Sequence, residues 1–114
     1  MDVEFIWNYC ISKNGAEETF PFNTNTLVFK VGGKMFALFD VDNFKGINLK
    51  CDPERSIDLR ESHSAIIPAF HMNKKHWNTV KVNEDVSNDL LIELINHSYD
   101  LVHSSLSKKL RDGI

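Results

Sequence analysis

The stretch TLVFKVGGKMFALF at 26–39 consists of two short, largely apolar runs rich in Val, Leu and Phe, joined by Gly32-Gly33. This pattern predicts a β-hairpin, because a two-residue connection of type I′ needs positive φ at both central positions and glycine supplies it without steric cost. Pairing across that turn sets Val31 against Lys34, Phe29 against Phe36 and Leu27 against Leu38, and this face is expected to be the core. The other face carries Val28, Met35, Ala37 and Phe39 beside Thr26 and Lys30. It is too apolar to be solvent surface along its whole length, so another segment or a second subunit is expected to cover part of it.

Upstream, Val3, Ile6, Trp7 and Cys10 recur at helical spacing behind Asp2, a good capping residue, which predicts a helix over 3–13 ended by Gly15. GAEETFPFN reads as an irregular strand and bend, since Pro21 has no ladder donor and restricts Phe20 to extended geometry. A short strand is expected over 47–50. Asp52-Pro53-Glu54 then combines a capping acceptor, a proline at the first helical position and a carboxylate at the positive helix end, opening a helix that reaches Glu61. Ile66 and Ile67 suggest a brief extended piece, AFHMNKK a turn, and 77–82 a strand with Trp77, Thr79 and Lys81 opposite Asn78, Val80 and Val82. A long C-terminal helix follows, with Leu91, Leu94, Ile95, Ser98, Leu101, Val102 and Ser105 as its buried stripe and Lys108, Lys109 and Arg111 near its negative end. The order α-β-β-β-β-α-β-α predicts a single α+β domain over 1–114: a two-layer sandwich, with an antiparallel sheet and helices packed on one side.

Charge refines the picture. The formal net charge is −3, yet residues 45–82 are locally +3 while both flanking thirds are acidic. Lys50, Lys74, Lys75, His76 and Lys81 surround Trp77 in this middle third. Interleaved cations and an indole are the residue types that hold phosphates and stack on a sugar or base, so these six are the candidate nucleic-acid-binding residues, with double-stranded DNA as the candidate partner. The competing reading makes Trp77 a half-buried strand residue, Lys74 and Lys75 a solvated turn and His76 incidental.

Signals for catalysis are weak. Cys10 and Cys51 form no CxxC pair and read as free thiols of a reducing, cytoplasmic compartment. A Cys51 nucleophile would need His71 or His76 as its base, but its position just before a helix cap is better explained by packing. His71 and His76 are five apart with no third ligand at a metal spacing, and His97 and His103, six apart on one helix, point to different sides. Gly32-Gly33 lacks the GxxxxGK[ST] pattern of a phosphate loop. No enzyme activity, metal or cofactor is expected. No apolar run is long enough for a membrane span, and the start MDVEFIW has no export-signal pattern.

The motifs PFN at 21–23, FKVGGKMFAL at 29–38, INLKCDPE at 47–54, NKKHWNTV at 73–80 and SYDLV at 98–102 appear in an order that resembles the MmcQ/YjbR family of small bacterial proteins. The resemblance spans essentially the whole chain. It implies a CyaY-like (frataxin-like) two-layer fold, also described as a double-wing DNA-binding fold, with no enzyme activity attached. A frataxin-like fold does not by itself transfer iron binding, and Asp2, Glu4, Glu17 and Glu18 are too sparse for an acidic metal ridge. Two departures bear on loops. Asn23 stands where most members have Gly and is expected to tolerate positive φ, and Ala69 replaces the Gly of a Pro-Gly-Tyr/Phe-His pattern, where positive φ is less accessible. These features together predict a non-catalytic, cytoplasmic, monomeric protein that binds DNA through a central basic surface. The alternative is a protein-interaction or weakly self-associating module.

Overall fold

The computed structural model describes residues 1–114. Asp2 accepts a hydrogen bond from the Phe5 amide and starts α1 (Val3–Ile11), which buries Ile6 and Cys10. β1 (Ala16–Thr19), β2 (Thr26–Val31), β3 (Lys34–Asp40) and β4 (Gly46–Lys50) follow, then α2 (Pro53–Ser62), β5 (Ile66–Pro68), β6 (Trp77–Lys81), α3 (Asn88–Ser105) and α4 (Lys108–Asp112). All neighbouring strands are antiparallel, in the order β1-β2-β3-β4-β6-β5. The brief extended piece at Ile66 and Ile67 is thus a true edge strand. Helices pack on one side of the sheet, with α3 crossing β2, β3 and β4. The expected α+β sandwich is the observed one.

The hairpin turns through Gly32 at φ 58° and Gly33 at φ 82°, as its type I′ connection requires. Its register departs from the simple alternation. Val31 pairs with Lys34 and Lys30 with Met35, but Phe29 then pairs with Ala37, so Phe36 is an extra residue in β3. A bulge of this kind puts two successive side chains on one face. Phe36 and Ala37 both enter the core, Leu38 turns to the opposite face, and Phe39 rather than Leu38 packs inward. The core expected from strict period two was therefore right for Leu27, Phe29, Val31 and Phe36 and inverted at Ala37, Leu38 and Phe39.

The bulge is held by α3. Extending the β3–β4 register, in which Ala37 faces Leu49 and Leu38 faces Asn48, would set Phe36 opposite Lys50. Instead the Ser98 hydroxyl lies between them, accepting from the Lys50 amide at 2.8 Å and donating to the Phe36 carbonyl at 2.5 Å. Ser98 has no solvent exposure, so a sheet hydrogen bond lost to the bulge is restored by a side chain from the helix layer. Around it, Phe36 meets Tyr99 edge-on at 5.3 Å between ring centres and packs beside Phe29 at 6.2 Å.

Within α3 the buried stripe is Leu91, Leu94, Ile95, Ser98, Tyr99 and Val102. Leu101 is only half-buried and Ser105 is exposed, because the stripe follows the i, i+3, i+4 positions through Tyr99 to Val102. The helix stops at Ser105, and Leu106 folds under the hairpin, where a Cβ on Gly32 would lie 2.6 Å from its Cδ1. Lys108, Lys109 and Arg111 consequently sit on the separate α4 rather than at the end of the long helix.

Candidate functional site

The helix-free face of the sheet carries the side chains that the helices do not bury. Alternation puts Asn48 and Lys50 of β4 there, since Ile47 and Leu49 enter the core, and puts Trp77, Thr79 and Lys81 of β6 there, since Val80 enters the core and Asn78 bonds to α2. Val28 of β2 and Leu38 of β3 join them. Over these strands folds the segment between β5 and β6: Ala69, wholly buried, packs with Val28, Leu38 and Trp77 as a second apolar cluster flanked by Met35 and Met72. That segment is the cover anticipated for the apolar outer side of the hairpin.

The cover is incomplete and leaves a groove of about 500 Å³. Met35, Leu38, Asn48 and Trp77 come from the strands, Phe70, His71, Met72 and Asn73 from the β5–β6 segment, and Phe22 from the bend before β2. Phe22 and Phe70 are 63% and 73% exposed, whereas Trp77 is 9% exposed. The pairing of exposed rings with a nearly buried indole is the arrangement of an apolar binding cleft.

Local chemistry explains how the walls are set. Asn23 does not take positive φ; its side-chain oxygen accepts from the amides of Asn25 and Thr26 at 2.8 and 2.7 Å, an Asx turn that carries the chain from Phe22 into β2. Ala69 likewise keeps ordinary geometry, donating its amide to the Trp77 carbonyl at 3.0 Å. The left-handed residue of this loop is His71, at φ 62°, two positions later than the family pattern suggested. Asn73 then closes the turn into β6, its carbonyl accepting from the amides of His76 and Trp77 and its side chain from that of Lys75. Arg60 of α2 ties this turn to the body of the fold: Nε donates to Asn78 Oδ1 at 2.8 Å, and its guanidinium also reaches the Lys74 carbonyl. Asn78 in turn donates to the Ser56 hydroxyl at 3.1 Å, which leaves no polar group of this buried link unpaired.

Of the six sequence-derived candidates, only Trp77 lines the groove itself. Lys50 is directly opposite Trp77 in the β4–β6 ladder, and Lys81 follows on the same face. Lys74 Nζ stands 5.8 Å from the centre of the Phe70 ring, within reach of a cation–π contact. Lys75 and His76 complete the turn beside it. The two ion pairs of the fold, Arg55–Glu93 and Lys108–Asp112, involve none of these lysines. Sequence reasoning missed Phe22, Met35, Leu38, Asn48, Phe70, Met72 and Asn73 as parts of one cleft. The available signal was the surplus of apolar residues on the outer hairpin face together with two aromatic residues in segments of turn character.

Both thiols considered for catalysis are buried, and His97 and His103 are engaged within the fold. Cys10 has no exposure, and burial pushes its thiol up to about 12 despite nearby Lys13. Cys51 is 3% exposed; burial raises its pKa, partly opposed by the Ser56 hydroxyl and by Arg55. The hydrogen bond joining Cys51 to His76 is a main-chain one, from the Cys51 amide to the His76 carbonyl at 2.9 Å. His97 Nε2 accepts from the Asp52 amide at 3.1 Å at the start of α2, and its pKa is lowered, first by burial and then by Arg55. His103 stacks on Tyr99, so the two histidines of α3 do point apart. No group of three or more His, Cys, Asp and Glu side chains is arranged to hold a metal ion.

Comparison with known proteins places this architecture. The YjbR family model matches residues 11–101. The chain belongs to the YjbR family. Among its relatives, the uncharacterized protein YbdF of Escherichia coli O157:H7 is 43% identical over 95 residues, covering 82% of this chain and 78% of YbdF. The uncharacterized protein YjbR of Escherichia coli K12 is 30% identical over 112 residues, covering 97% and 95%. Of solved structures, Deinococcus radiodurans protein DR2400 superposes with a TM-score of 0.91 at 41% identity, over 97% of this chain and 86% of that one. A Pseudomonas syringae protein does so with a TM-score of 0.75 at 28% identity, over 90% and 99%. The α+β sandwich, with its antiparallel sheet and helices on one side, is therefore shared with these solved structures. No helix in it is long and apolar enough to cross a membrane.

Proposed function

We propose that this YjbR-family protein is a non-catalytic, cytoplasmic, monomeric module that binds DNA through the helix-free face of its sheet. Lys50, Lys74, Lys75, His76 and Lys81 contact phosphates in this reading, and Trp77 forms part of the surface between them. The observation that carries it is that Lys50 and Lys74 stand beside aromatic walls of the groove, with Lys81 farther along the same sheet face, and that none of the three has a carboxylate partner. Cations left free of intramolecular pairing are available to replace the counterions of a polyanion. In this reading the antiparallel pairs β2–β3 and β5–β6 act as the two wings of a double-wing DNA-binding module. Burial that keeps both thiols protonated supports the absence of a thiol nucleophile, and two unpaired cysteines suit a reducing compartment.

A titration of labelled duplex at several salt concentrations tests the reading. Four lysine–phosphate contacts give a slope of log K against log salt of roughly −3 to −4, and Lys74→Glu with Lys75→Glu weakens binding and flattens that slope by about 2. Undetectable or salt-insensitive binding, or an unchanged double variant, refutes it. Exposed Phe22 and Phe70 favour a second reading, a protein-interaction or self-association surface. That reading predicts association insensitive to the lysine substitutions and abolished by replacing the two rings.

A further inference from the structure

We infer that the groove is a pocket for an unpaired nucleobase, so that the protein prefers single-stranded DNA, or a strand with an extruded base, over intact duplex. The inference rests on the reading that this face binds DNA and adds what the groove contributes to it. Phosphate contacts alone do not distinguish one strand from two. A base inside a duplex has its faces covered by its neighbours, whereas a base in a single strand offers a bare π-face to an aromatic side chain.

Three features of the groove match that face. Phe22 and Phe70 stand exposed on opposite sources of the wall, one from the bend before β2 and one from the β5–β6 segment, with Trp77 between the strands. About 500 Å³ is room for a planar ring system. Polar groups capable of reading a base edge are also in place. Asn48 Nδ2 has only the Met72 sulfur, at 3.5 Å, as its acceptor, a weak one, and Asn73 spends its side-chain oxygen on the Lys75 amide while its amide nitrogen stays available.

Charge complementarity selects this occupant over an apolar peptide. Lys50 lies opposite Trp77 in the ladder and Lys74 leans over the Phe70 ring, so a cation flanks each of two aromatic walls. A nucleotide has one anionic group per planar ring, and that spacing of ring and charge is what the groove and its rim reproduce. The strained His71 backbone is part of the device, since the left-handed turn brings the segment bearing Phe70 and Met72 back over the sheet.

The test uses the whole chain with labelled oligothymidine, a duplex containing the same strand, and that duplex with one unpaired thymidine. The expected result is single-strand binding tighter than duplex by about 10-fold or more, with the unpaired thymidine recovering part of the difference. Phe70→Ala and Phe22→Ala, both at exposed positions, weaken single-strand binding by a larger factor than duplex binding, so that most of the preference is lost. In a Trp7→Phe background the strand also quenches Trp77 fluorescence. Equal binding of all three probes, with no effect of the ring substitutions, overturns the pocket while the DNA reading stands. Loss of single strand and duplex in equal measure overturns it too, because the rings then serve as general contacts. Absence of binding to any probe ends both.

Discussion

Replacing Ser98 with alanine removes one oxygen atom and isolates two main-chain groups. The Lys50 amide loses its acceptor and the Phe36 carbonyl its donor, at a position with no solvent exposure, where water has no route to take the place of the hydroxyl. Each buried group left unpaired costs about 1–3 kcal/mol, so the two together cost about 2–6 kcal/mol. Alanine returns roughly 0.5 kcal/mol through its higher helix propensity. The net expectation is a loss of about 2–5 kcal/mol, a large fraction of the 5–15 kcal/mol that holds a domain of this kind together. Urea unfolding followed by circular dichroism measures it, and with a slope of about 1–3 kcal/mol per molar the midpoint drops by on the order of 1–2 M. Ser105→Ala is the control: it lies on the same helix, is exposed, and its hydroxyl donates to Val102 O one turn back and accepts only a long, exposed contact from Lys34 at 3.5 Å. That variant stays within about 0.5 kcal/mol of the parent. A Ser98→Ala chain that unfolds within about 1 kcal/mol of the parent, at unchanged slope, would show that the bulge does not depend on this bridge.

Native protein exposes no fast-reacting thiol to a disulfide reagent at neutral pH, because burial holds Cys10 and Cys51 protonated, and both react once guanidinium unfolds the chain; one rapid native equivalent contradicts the placement of Cys51. His97 makes stability fall with acid. Its folded pKa lies below the ordinary 6.5, so between the two values the unfolded chain takes up a proton that the native ring refuses. This contribution is intact above 6.5 and is lost as pH falls toward the folded value, while the ring gives up its acceptance from the Asp52 amide. His97→Gln therefore shows a flatter pH dependence of the unfolding midpoint over that window, and superimposable profiles for variant and parent exclude the effect.

The chain encodes locally whatever depends on a few neighbouring residues. Asp2 and Asp52 cap their helices because a short side-chain acceptor reaches the amide three residues on, and Gly32-Gly33 turns the hairpin because only glycine takes two positive φ values cheaply. Period two was enough to put Leu27, Phe29 and Val31 in the core, and the excess of apolar residues behind them was enough to require a cover. Three things needed the tertiary structure. The segment MFALF is apolar at every position, so nothing in it distinguishes a continuous strand from one with an extra residue; Ser98, distant in sequence, decides the matter by bridging Phe36 to Lys50. The end of the long helix at Ser105 follows from Leu106 packing on Gly32, a contact that no helical periodicity reports. The groove brings Phe22, Leu38 and Phe70 together only after β5 has paired with β6 and Arg60 has fastened the turn between them, so its residues carry no common spacing in the sequence. Lysines and a tryptophan could be recognised as one basic segment because they are neighbours in the chain, but the apolar cleft they border exists only where distant strands meet.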